Sequence, residues 1–179
     1  MRKLVASLFI SLDGVVEAPD QWQFAFDDEM GEEITTVTSA QDAILLGRVS
    51  YQEWAGYWPT SDEEPFASWI NETPKYVVST TLESTDEWQN STLLTGDLSK
   101  AVTELKNQPG GGIGVGGSPT LVRSLLELDL LDELRLLIHP VVAGKGAKLF
   151  DNGELKKLEL VEAKPTSSGT VIVAYRPAR

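Results

Sequence analysis

Between Pro109 and Leu121 the chain reads PGGGIGVGGSPTL, with six glycines in the eight residues Gly110–Gly117. Residues without a Cβ let a backbone pass very close to a neighbouring group. Ser118 and Pro119 follow in the pattern of an N-cap and a first helical residue. Leu121, Val122, Leu125 and Leu126 then recur at helical spacing. A helix start offers free N–H groups and the positive end of a dipole, a pairing suited to phosphate. The stretch therefore reads as a pyrophosphate seat, or else as a glycine-rich strand-to-helix turn that binds nothing.

Two familiar phosphate motifs do not fit it. Gly112, Gly114 and Gly117 match a dinucleotide fingerprint literally, but that fingerprint needs a strand before its first glycine and an acid closing the next strand. Here Leu98–Lys106 reads as a helix, and Asp132 and Glu133 precede the next strand. No Gly-Lys-Ser/Thr follows, so the Walker pattern is absent.

Composition narrows the function classes. The 179 residues suit one domain, 1–179, with a sizeable core. Fifteen basic against 27 acidic side chains give a net charge of −12, which argues against nucleic-acid or anionic-membrane partners. There is no cysteine, so disulfides, thiolate nucleophiles and cysteine metal sites are excluded, and no metal ligand set is expected. No apolar run reaches the roughly eighteen residues of a membrane span. The run Leu4–Ile10 ends in Asp13-Gly14 without a cleavage pattern, so a cytoplasmic protein is expected.

In chain order the elements read β-α-β-α-β-β-α-β-α-β and a terminal hairpin. Strands are expected at Leu4–Ile10, Ala43–Leu46, Lys75–Val78, Ser91–Leu94, Gly112–Val115 and Leu134–Ile138. The hairpin pairs Leu158–Lys164 with Thr170–Arg176. Helices are expected at Asp27–Thr38, Val49–Trp54, Pro65–Glu72, Leu98–Lys106 and from Pro119 to near Leu128. Met30, Ile34 and Val37 mark the buried side of the first helix. Alternation of this kind implies an α/β fold with a mixed, mostly parallel sheet flanked on both faces.

Several strand ends carry candidate chemistry. Asp13 closes the first strand in Ser11-Leu-Asp-Gly14, as a turn residue or as a group at a ligand-binding edge. Arg48 follows Gly47 at a strand-to-helix turn, ready to fork onto a phosphate or to pair with Glu53. Ser79, Thr80 and Thr81 offer three hydroxyls, for a ligand or for the next turn. Trp22, Phe26, Tyr51 and Trp54 suit the walls of a flat heterocycle, and ring packing in the core explains them equally. His139, the only histidine, is expected to be structural.

Five pieces in series resemble one family. They are Ser11-Leu-Asp-Gly14, Leu45-Leu-Gly-Arg-Val-Ser-Tyr51, Tyr76-Val-Val-Ser-Thr-Thr81, Gly114-Val-Gly-Gly-Ser-Pro-Thr-Leu121 and Leu137-Ile-His-Pro-Val-Val-Ala-Gly-Lys-Gly146. Together they resemble the dihydrofolate reductase-like fold, and within it the stand-alone relatives of the riboflavin-biosynthesis (RibD) reductase domain. The resemblance implies a three-layer α/β/α domain, a homodimer, and NADPH lying across the sheet's C-terminal edge. It implies Val15 and Val16 near the nicotinamide, and Gly47, Arg48 and Ser50 on phosphates. Ser79, Thr80 and Thr81 would meet the adenosine 2′-phosphate and ribose, and Gly116, Gly117, Ser118, Pro119, Thr120 and Leu121 the pyrophosphate. The expected activity is hydride transfer to a small heterocycle, carbonyl or imine, with Asp13 or a helix carboxylate assisting protonation. Asp27, Asp28, Glu32 and Glu33 all lie near the helix start where that family holds its substrate, and spacing selects none of them. A non-catalytic nucleotide- or pterin-binding module on the same fold is the alternative.

Overall fold

The computed structural model describes all residues, Met1–Arg179. The strands are β1 (Leu4–Ser11), β2 (Gln41–Gly47), β3 (Lys75–Val78), β4 (Ser91–Leu94), β5 (Gly112–Gly116), β6 (Glu133–His139), β7 (Leu158–Pro165) and β8 (Val171–Pro177). The helices are α1 (Asp28–Ser39), α2 (Arg48–Ala55), α3 (Phe66–Glu72), α4 (Leu98–Asn107) and α5 (Pro119–Glu127). All eight strands form one sheet in the order β4-β3-β2-β5-β1-β6-β8-β7. The first six strands in sequence run parallel, and β8 and β7 add an antiparallel edge. The α/β expectation and the terminal hairpin both hold.

Strand alternation sorts the two faces. Leu4, Ala6, Leu8 and Ile10 of β1 pack with Val102 and Leu105 of α4 and with Leu121, Val122, Leu125 and Leu126 of α5. On the other face Ile44, Leu46 and Val77 pack with Tyr51 of α2, Ile70 of α3 and Trp88. Met30 of α1 packs with Leu137 and Ile172 on that same side, and Phe9 leans on them. Burial of these side chains supplies the main drive to fold. No helix is long and apolar enough to cross a membrane.

Two predicted details change. Glu33, rather than Ile34 or Val37, joins Met30 as a buried residue of α1, 2% exposed. Its carboxylate receives Arg135 Nε at 2.6 Å and Lys164 Nζ at 3.2 Å, both from strands far along the chain. Tyr51 also moves. It is sealed in the core, its ring 6.3 Å from Trp88, and lines no groove. Like Trp54, one turn on, it falls on the side of α2 that faces the sheet, but deeper in the core.

A buried cation anchors this half of the molecule. Lys75 is fully enclosed. Its Nζ donates to the carbonyls of Ile70 and Thr73 at 2.9 Å and of Asn71 at 3.1 Å, and stands 4.4 Å from the Trp88 ring. These are the open carbonyls at the end of α3. Trp88 is locked in turn by its Nε1–H on Asn71 Oδ1 at 2.7 Å. Burial pushes the ammonium down to about 8 from 10.5. The native state thus releases this proton earlier than the unfolded chain, so stability rises between those two pH values. Asn71 O still receives Asn90 Nδ2 at 3.1 Å, but Lys75→Met takes the donor from the Ile70 and Thr73 carbonyls. It is expected to lower the unfolding free energy by about 2–3 kcal/mol in urea titrations, and to abolish the rise in stability between pH 8 and 10.5.

Candidate cofactor and substrate site

The six parallel strands end along one edge, at Ser11, Gly47, Val78, Leu94, Gly116 and His139. β5 returns between β2 and β1, so the edge contains the reversal of strand order at which α/β sheets bind ligands. At this point α2 and α5 begin on opposite faces of the sheet, directly after adjacent strands.

The two helix starts are stitched together. Gly47 N–H donates to Ser118 Oγ at 2.8 Å, Ser118 N–H donates to Ser50 Oγ at 2.9 Å, and Ser118 Oγ–H donates to Gly116 O at 3.0 Å. Ser118 therefore does not cap α5 as its sequence position suggests. It sits in the left-handed region at φ 56° and turns its hydroxyl across to β2. Neither α2 nor α5 has a side-chain cap. The N–H groups of Gly117 and Leu121 meet no acceptor within the chain. Two positive helix ends thus converge on one spot.

The glycines serve this stitch. A Cβ on Gly47 would lie 3.2 Å from Ser118 Oγ, and one on Gly117 would lie 2.9 Å from Ser50 Oγ. One on Gly116 would lie 2.8 Å from the Trp54 ring. The close approach expected of a ligand is made at these positions by the protein's own side chains. What faces outward is amide and dipole. Leu121 contributes only its N–H, since its side chain is in the core, and Pro119 has no N–H to give. Thr120 is exposed, its Oγ1 accepting from Arg123 at 3.1 Å.

Next to this corner lies a cleft of about 330 Å³ lined by Arg48, Val78, Ser79, Thr80, Thr81, Leu94 and Gly96. The structure thus brings together Arg48 and the three hydroxyl residues. Arg48 is exposed and bonds the neutral Gln52 at 3.0 Å, not Glu53, so its charge stays uncompensated. Thr80 and Thr81 are exposed. Ser79 is buried, and its Oγ accepts from the N–H groups of Thr81 and Leu82 at 3.1 and 3.0 Å. Its hydroxyl builds the turn that presents the two threonines.

At the other end of the edge two loops clasp each other. Leu12 N–H donates to Val141 O, Val16 N–H to Ala147 O, and Leu149 N–H to Gly14 O, at 2.8–3.0 Å. Asp13 accepts from Ala143 N–H at 3.0 Å and Gly144 N–H at 2.9 Å, and from Ser11 Oγ at 2.5 Å. Glu17 accepts from Ala147 N–H at 2.7 Å. The Ser11 hydroxyl and these two amides hold the Asp13 carboxyl down to about 2. Asp13 thus pins the Val141–Leu149 strap to the end of β1 through its carboxylate. Val15 is 1% exposed, sealed beneath Gly146, while Val16 is half-buried. The strap Val141–Leu149 was missed as part of the site. Its trace in the sequence is Gly144 and Gly146, both at positive φ.

Between α1 and α2 the sheet face carries an aromatic groove. Trp54 stands over Gly116. Phe9 meets Phe26 at 6.4 Å and His139 at 5.7 Å, and Trp22 meets His139 at 5.6 Å. Phe26 is 57% exposed, whereas Trp22 is buried. All four candidate wall residues lie on this side of the sheet, but Tyr51 is sealed in the core and has no surface to offer a ligand. At the start of α1, Asp27 accepts from Met30 N–H at 2.9 Å, Ser168 N–H at 3.1 Å and Ser168 Oγ at 2.5 Å. Burial opposes its ionisation, but the hydrogen bonds from Ser168, Thr166 and Met30 outweigh it and hold the carboxyl well below the usual range.

Comparison with known proteins agrees with this fold. The uncharacterized protein YyaP of Bacillus subtilis is 32% identical over 182 residues, covering 97% of this chain and 94% of that protein. In fold, a Shewanella sp. PV-4 protein named for riboflavin biosynthesis superposes with a TM-score of 0.81 at 16% identity, covering 99% of both chains. A dihydrofolate reductase from Enterococcus faecalis, complexed with NADP(H), gives 0.69 at 11% identity, covering 99% of this chain and 97% of that one. The profile of the RibD C-terminal domain matches residues 2–172. The chain belongs to the RibD C-terminal domain family.

Proposed function

We propose that the protein is an NADPH-dependent reductase acting on a small planar substrate. The observation that carries this reading is the pair of uncapped helix starts, α2 and α5, fastened to each other through Ser118 beside the Arg48 cleft. Bound there, NADPH would supply a hydride to an electrophilic C=N or C=O carbon. The pyrophosphate would rest on the amides of Gly117 and Leu121, between two dipole ends. Arg48 would meet a phosphate, and Thr80 and Thr81 the ribose and its 2′-phosphate, favouring NADPH over NADH. The clasp of Gly14–Glu17 with Val141–Leu149 would fix the nicotinamide end. Trp54, Phe9 and Phe26 would flank the substrate ring. The relation to reductases of the same fold supports the assignment, and water is the proton source in this scheme.

One observation favours the alternative, a binding module without turnover. Asp13 and Asp27 both spend their carboxylate oxygens on donors of the protein itself, so neither is placed to face a substrate. NADPH and NADH thermal shifts, followed by oxidation assays on carbonyl and imine panels, separate the two readings. Stabilisation by NADPH with no oxidation of it against any panel member selects the module.

NADPH is expected to quench tryptophan emission saturably, and Arg48→Glu to weaken its binding by about 1–3 kcal/mol, roughly 5- to 150-fold. A flat response to NADPH in the wild type overturns the cofactor assignment. The double substitution Thr80→Val, Thr81→Val is expected to cost NADPH about tenfold in affinity and to leave NADH nearly unchanged. Equal losses for both dinucleotides would remove the 2′-phosphate from this cleft.

A further inference from the structure

Arg123 lies on α5 one turn after Thr120, and its side chain reaches off the helix to a distant loop. Its Nη1–H group donates to the carbonyls of Lys148 at 3.2 Å and Leu149 at 2.8 Å, and its Nη2–H group to Thr120 Oγ1 at 3.1 Å. All three acceptors are uncharged. What the guanidinium supplies here is its planar fork of donors.

The loop it reaches is the strap Val141–Leu149. Gly144–Lys148 is exposed along its whole length, so packing does little to hold it. The strap enters the core at Leu149, which is fully buried. Hydrogen bonds therefore set the position of the rest. From the β1 side, Asp13 and Glu17 take the N–H groups of Ala143, Gly144 and Ala147. From the α5 side, Arg123 takes the C=O groups of Lys148 and Leu149. This same end of the strap pairs with Gly14–Val16. Lys148 bridges Val15, Val16 N–H donates to Ala147 O at 3.0 Å, and Leu149 N–H donates to Gly14 O at 3.0 Å. Neither carbonyl held by Arg123 is used in that pairing. One guanidinium thus fastens the helix that starts at the phosphate corner to the segment carrying Val15 and Val16.

We propose that Arg123 is a positioning residue, holding Gly14–Val16 at a set distance from the start of α5 so that a dinucleotide reaches both at once. The proposal rests on the NADPH reading of the edge. A ligand with two ends gains affinity when the two halves of its site are already fixed relative to each other, because neither has to be ordered on binding. Arg123 acts through the strap and makes no contact of its own with the ligand.

The test compares NADPH with 2′-phospho-ADP-ribose, which keeps the adenosine and the phosphates and lacks the nicotinamide. By calorimetry, Arg123→Met is expected to bind NADPH about tenfold more weakly and 2′-phospho-ADP-ribose within about twofold of wild type. Arg123→Lys keeps the charge and loses the planar fork, and is expected to behave like Arg123→Met. In the ligand-free protein, hydrogen exchange at the Val16 and Leu149 amides is expected to quicken about tenfold in both variants, with the Gly47 and Ser118 amides unchanged. Equal losses for the two ligands overturn the proposal, and rescue of both by lysine would then identify a charge seen by the phosphates. Unchanged NADPH affinity in Arg123→Met overturns it too, as does unchanged exchange at Val16 and Leu149. These results leave the cofactor site standing. A wild-type protein that binds neither ligand removes the cofactor assignment, and this proposal with it.

Discussion

The hydrogen bonds joining Gly47, Ser50 and Ser118 are the constraint on which the C-terminal edge depends. They tie a helix on one face of the sheet to a helix on the other, across the pair β2 and β5. Had Ser118 capped its own helix, its hydroxyl would have taken up one of the amides of α5. By adopting a left-handed backbone and reaching across, it leaves those amides facing outward and makes two dipoles act at one place. Glycine is required at Gly117, where φ is +53° and a Cβ would lie 2.9 Å from Ser50 Oγ, and the fit at Gly47 is tight.

Acidic side chains do most of the clamping around the groove. Asp13 and Glu17 grip backbone amides of the strap Val141–Leu149, and Asp27 grips the hairpin turn at Ser168. The Asp13 and Asp27 carboxylates are stabilised in their charged form by N–H and O–H donors. That explains how a chain of net charge −12 can present an electropositive corner. The negative groups near the edge are directed into the protein, and Arg48 and the helix ends are directed out.

Much of this was readable from residue order. The β3 and β4 bounds, Lys75–Val78 and Ser91–Leu94, follow from short apolar runs between turn residues and coincide with the observed strands. Asp97 and Asp27 cap their helices by accepting from Lys100 and Met30 N–H, a local pattern visible in residue order. The grouping of Arg48 with Ser79, Thr80 and Thr81 followed because parallel strands deliver their C-terminal residues to one edge. Other features were hidden because they depend on partners distant in sequence. Glu33 is buried for Arg135, and Asp13 is spent on Ala143 and Gly144. Tyr51 and Trp54 share a helix, and only the sheet decides which of the two is interior. Ser118 matched a local capping rule and was diverted by a β2 amide.

The position of β1 has a consequence for how the chain assembles. Leu4–Ser11 is translated first, yet its neighbours are β5, Gly112–Gly116, and β6, Glu133–His139. A nascent chain ending before Gly112 leaves its most interior strand with two bare edges. Such edges invite pairing with other chains, and joining segments so far apart in sequence is slow. Late synthesis of the glycine-rich strand therefore keeps β1 without its partners until most of the chain is made, and the same strand, set between β2 and β1, joins the two halves of the sheet.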